Sequence, residues 1–73
     1  MNSKYEMLIQ WSDDDKAFLV EVPELPGCMA DGKTRQEAIA QAEIIIDEWL
    51  QTAHLEGRPI PLPNIKKSDK IAG

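Results

Sequence analysis

Reactive and metal-binding side chains are scarce in this chain, which holds one cysteine, Cys28, and one histidine, His54. A lone cysteine excludes an internal disulfide and any multi-cysteine zinc site, and it fits a reducing compartment. Long apolar runs are missing too: the longest, Ala17 to Val20, is four residues, against the ~20 that a membrane-spanning helix needs. The opening residues Met1-Asn2-Ser3-Lys4-Tyr5-Glu6 lack the apolar stretch of a signal peptide, so a cytoplasmic location away from membranes is expected. Neither a glycine-rich phosphate loop nor a serine-triad motif is present.

Cations are also in short supply, with eight Lys and Arg against thirteen Asp and Glu, a net charge of −5. Residues 1–63 hold twelve acidic and five basic side chains, net −7, whereas residues 64–73 carry Lys66, Lys67, Lys70 and Asp69, net +2. A body this negative repels a phosphate backbone, because nucleic-acid affinity rests on clustered Lys and Arg. Direct nucleic-acid binding is therefore not expected, and a basic protein is the better electrostatic partner. Acidic surfaces also serve plain solubility.

At 73 residues there is room for one core, and a chain of this size buries only about 60% of its unfolded surface. One domain over residues 1–64, a flexible charged tail over 65–73 and a homo-oligomer are expected.

Tyr5, Met7, Ile9 and Trp11 alternate with Glu6, Leu8, Gln10 and Ser12, the period of two that marks a strand with one face on a core. Phe18, Val20 and Val22 repeat the pattern after Ser12-Asp13-Asp14-Asp15-Lys16, a polar stretch short enough to close an antiparallel hairpin. Leu8, Ala17 and Leu19 fall on the opposite face and form a second apolar patch, which makes Leu8 and Leu19 the candidates for self-association. Pro23-Glu24-Leu25-Pro26-Gly27 must turn, since each proline lacks an N–H. A third short strand over Cys28 to Asp31 precedes a reversal at Gly32-Lys33.

Thr34 followed by Glu37 is a capping box, so a helix is predicted to begin at Thr34. Its core stripe is Ala38, Ile39, Ala42, Ile45, Ile46, Trp49, Leu50 and Ala53, opposed by Gln36, Gln41, Glu43, Asp47, Glu48 and Gln51. Gly57 suits a left-handed end cap and Pro59 forbids continuation, giving a helix of about 22 residues. Pro59-Ile60-Pro61-Leu62-Pro63 reads either as a short fourth strand at the sheet margin or as polyproline conformation. The predicted architecture is α+β: a three-stranded antiparallel sheet, one amphipathic helix on one face, and that edge strand, in the order β-β-β-α-β.

Candidate chemistry is thin. Asp13, Asp14 and Asp15 diverge on a hairpin turn and lack the spacing of a calcium loop, which favours a solvated turn. His54 falls in the helix's last turn, where a cation complements the dipole. Cys28 has apolar neighbours and reads as a small buried side chain. Trp11 and Trp49 fall on core-facing stripes. No catalytic residue, metal site or cofactor is expected on these grounds.

The run Val22-Pro23-Glu24-Leu25-Pro26-Gly27-Cys28, then Asp31-Gly32-Lys33-Thr34, Gln36-Glu37-Ala38 and Gly57-Arg58-Pro59-Ile60-Pro61, resembles the HicB family of type II antitoxins. The shared features are proline, an acidic residue, leucine and Pro-Gly-Cys, a Gly-x-Thr helix start with Glu-Ala after it, and a Gly-x-x-Ile-Pro exit. The likeness runs from about Tyr5 to Asn64. It implies a partial ribonuclease-H-like fold and a non-enzymatic role: binding and neutralising a HicA-type toxin, a small basic ribonuclease that cleaves messenger RNA. Lys33 departs from the family pattern, which has an acidic residue there. Ten residues after Pro63 cannot build the C-terminal DNA-binding domain many HicB proteins carry, so a single-domain member is expected. The competing readings are an orphan oligomeric interaction module and a minimal metal-dependent nuclease using Asp13 to Asp15, or Glu21 with Asp31.

Overall fold

Alternation in the first part of the chain builds three strands, β1 Leu8–Ser12, β2 Ala17–Glu21 and β3 Met29–Gly32, and the capped amphipathic segment builds one helix, α1 Arg35–Leu55. The computed structural model describes residues 4–63, and the segment expected as a charged tail lies outside the described residues. The sheet is antiparallel in the order β1-β2-β3. Ile9 faces Val20, Trp11 faces Phe18, and Val20 faces Ala30, so the predicted inner face is continuous across all three strands. The α+β class predicted above is the one observed.

The core has two parts. Val20, Ala38 and Ala42 are buried with Ile9, Phe18 and Ala30 against them. Val22, Leu25, Cys28 and Ile46 are buried with Tyr5, Ile45, Trp49 and Leu50 around them, and Met7 touches both groups. The first part is built from small side chains because helix and sheet approach closely there. A Cβ on Gly32 would stand 2.4 Å from the Ala38 backbone nitrogen, so only glycine fits. Gly32 is thus the last residue of β3 wedged under α1, rather than part of the reversing turn.

The helix starts and stops by the predicted chemistry, with one change. Thr34 Oγ1 accepts from the Glu37 N–H at 3.0 Å, but the Glu37 carboxylate accepts from the N–H of Lys33 rather than that of Thr34. The reciprocal arm of the capping box is therefore displaced by one residue, tying down the link from β3. At the other end Gly57 takes φ +68°. The Gly57 N–H bonds the His54 carbonyl at 3.2 Å and the Arg58 N–H bonds the Ala53 carbonyl at 2.9 Å, the paired pattern that satisfies a helix's last carbonyls.

Other sequence expectations are corrected in detail. β1 begins at Leu8 rather than Tyr5, and Cys28 closes the loop before β3 instead of opening the strand. The fourth edge strand expected at Pro59 to Pro63 does not join the sheet, which has three strands. The prolines leave only the Ile60 and Leu62 N–H groups able to pair, and the segment is held instead by the Tyr5 hydroxyl, which donates to the Pro61 carbonyl. Trp11 lies on the inner face by register but is 50% exposed. It meets Phe18 edge-on at 5.1 Å between ring centroids, and the Arg35 guanidinium covers the Phe18 ring at 4.7 Å.

Candidate interaction surfaces

The Pro23–Gly27 motif is structural. Backbone bonds from the N–H of Val22 to the Cys28 carbonyl, Leu25 to Val22 and Cys28 to Leu25, at 2.9 to 3.0 Å, stitch the loop to itself. Gly27 supplies a φ of +79° at its corner. That geometry drives Leu25 inward to zero exposure, a core role that a turn-rich stretch does not advertise. Glu24 Oε1 accepts from the Glu6 N–H at 3.0 Å, and Trp49 Nε1 donates to the Pro26 carbonyl at 2.9 Å. The loop is thereby pinned to the chain ahead of β1 and to α1, while Arg58 lies over the Trp49 ring at 5.8 Å.

The candidate chemical groups are dispersed. Asp13 pairs with Lys16 at 3.2 Å on the exposed hairpin. Asp15 takes the Ser12 hydroxyl at 2.9 Å, and Trp11 Nε1 reaches Asp13 at 3.4 Å. Glu21 and Asp31 stand in register opposite Met29 and Leu19. Among the described residues no three His, Cys, Asp or Glu side chains group as metal ligands. His54 sits exposed in the last turn of α1. Cys28 is buried as expected, and that burial pushes its thiol above the ordinary thiol range, opposite to what a nucleophile needs.

What the fold does present is surface. On the side of the sheet away from α1, Leu8, Leu19 and Met29 are 45%, 38% and 62% exposed. They line a shallow depression with Gln10 and Glu21. Met29 was missed in the sequence because strand 3 is too short for its alternation to stand out. A second apolar exposure lies on the outer side of α1, where Ile44 and Leu55 are 50% and 83% exposed. Asp47, Glu48, Gln51 and His54 line the same surface. Ile44 lies off the core stripe that helical periodicity assigns to Ile45 and Ile46, and the structure keeps that division. Glu43 keeps one carboxylate oxygen out of solvent with no hydrogen-bond donor.

A helix laid over one face of a three-stranded sheet, with large apolar side chains exposed on both outer surfaces and its titratable groups scattered, defines a small α+β module. Its membership is specific: the model for HicB-like antitoxins of bacterial toxin-antitoxin systems matches residues 5–71, and the chain belongs to that family. It is 33% identical over 64 residues to the UPF0150 protein Ta0767 of Thermoplasma acidophilum, covering 88% of this chain and 91% of that one. It is 39% identical over 44 residues to the UPF0150 protein ssl0259 of Synechocystis, covering 60% of each. No solved structure matches significantly. Among the described residues no helix is long and apolar enough to cross a membrane.

Proposed function

We propose that this chain is a non-catalytic, cytoplasmic antitoxin that binds a small basic HicA-type ribonuclease and blocks it by covering its RNA-binding surface or its catalytic histidine. The family match over residues 5–71 carries this reading. The charge of residues 1–63, twelve acidic side chains against five basic, supports it, because opposite charge speeds capture of a cationic target. Neutralisation of this kind asks no chemistry of the antitoxin; it asks for a stable body with exposed contact surfaces. We further propose that Leu8 and Leu19, joined by Met29, mediate self-association through the open face of the sheet, since apolar side chains clustered on a small domain favour burial against a like surface.

Co-expression with a HicA-type toxin tests the function. Restored growth and co-purification of the two chains are expected. Continued growth arrest with soluble antitoxin present, and no co-purification, overturns it and leaves an interaction module for some other partner.

A further inference from the structure

We infer that the outer face of α1 is a docking surface for a cationic amphipathic helix of a partner protein. At 100° per residue, Ala40, Ile44, Gln51 and Leu55 fall opposite the buried Ala38, Ala42, Ile46 and Ala53. Ile44 and Leu55 stand half and more than four-fifths exposed there, and Asp47 and Glu48 bracket them on either side. The charge is one-signed: residues 36–55 contain Glu37, Glu43, Asp47 and Glu48 and no Lys or Arg. A helix selected only for solubility and stability intersperses cations at i,i+4, whereas Glu43 and Asp47 place like charges at that spacing, which destabilises a helix. Solvent alone gives no reason to expose two large apolar side chains, Ile44 and Leu55, with uncompensated carboxylates between them.

The occupant follows from that charge. A second copy would bring the same carboxylates face to face, so this surface is not the one for self-association. An amphipathic helix with leucine-like side chains along one stripe and Lys or Arg beside it matches both features, the helix-on-helix mode of recognition. Identification of that helix with the toxin rests on the proposed antitoxin function; the chemistry of the surface does not.

The test separates the two. In the full chain, Asp47→Lys with Glu48→Lys, and the milder Asp47→Asn with Glu48→Gln, are compared with wild type for thermal unfolding, sizing-column elution and neutralisation of a co-expressed HicA-type toxin. Unchanged elution and at least tenfold weaker toxin binding by the charge-reversed chain are expected, with the neutralised chain intermediate. If wild type neutralises the toxin and both variants bind it within twofold, the inference falls and the antitoxin function stands. If wild type neutralises nothing, that function falls. A titration of the labelled chain with a leucine-lysine helical peptide and its leucine-glutamate counterpart then decides the inference. Saturable amide shifts confined to Ile44, Asp47, Glu48, Gln51 and Leu55 with the cationic peptide alone uphold it. Shifts at Leu8, Leu19 and Met29, or none, overturn it, as does an altered oligomer in the charge-reversed chain.

Discussion

The open face of the sheet and the outer face of α1 both leave large apolar side chains in water, yet they differ in what surrounds those side chains. Leu8, Leu19 and Met29 share their depression with Gln10 and Glu21, and Asp31 stands across from Leu19 on the same face. Ile44 and Leu55 share theirs with Asp47, Glu48, Gln51 and His54. Each patch carries two carboxylates, but three large apolar side chains accompany them on the sheet and two on the helix, so the sheet face gains more from burial against its own image. On the two proposals above, one small scaffold presents two surfaces that do not compete, one for a second copy and one for a cation-bearing partner.

That division of labour breaks most completely if the shared scaffold is lost. Leu25→Ala empties the centre of the larger core group and is expected to cost about 3 kcal/mol, read as the shift in urea midpoint. Gly32→Ala forces a methyl into the Ala38 backbone and is expected to cost about 2 kcal/mol. Either variant should weaken self-association and partner binding together, in proportion to the fraction unfolded. A variant that unfolds but spares one surface would show that the surfaces do not share a fold.

Smaller changes sharpen the contrast. Thr34→Ala removes the cap of α1 and should cost about 1 kcal/mol; amide exchange should speed first in the helix's opening turn, leaving the open face of the sheet intact. Leu19→Glu sets a carboxylate opposite Asp31 and should cost up to about 1 kcal/mol, while lowering the oligomer on a sizing column; an unchanged elution volume removes Leu19 from that interface. The smallest effect concerns Lys16, held at φ +51°. Lys16→Asn should stabilise by a few tenths of a kcal/mol, since Asn accepts that conformation more readily and the exposed pair with Asp13 contributes little. Cys28 adds a pH signature. Its thiol is raised by burial, so the unfolded chain ionises first as pH climbs through the ordinary thiol range. Stability should be flat below that range and fall above it.

Much of the fold was legible because its signals are local. A period of two in β1 and β2, Thr34 three residues before Glu37, and Gly57 ahead of Pro59 each act within a few residues, where hydrogen-bond geometry and backbone sterics leave little choice. The misreadings came where distance mattered. Pro59 to Pro63 had the pattern of an edge strand but stays out of the sheet, and Trp11 had the right face but lies where no helix covers it.

Residue order alone determined the element types, the face each strand turns inward, the acidic balance and the family, because these depend on neighbours in the chain. Only the folded arrangement decided that Leu25 is core, that Gly32 is a contact point, and that Met29 joins Leu8 and Leu19 on the open face. Those outcomes depend on which groups from distant elements come within contact distance, and that is set by how one helix lies on one sheet.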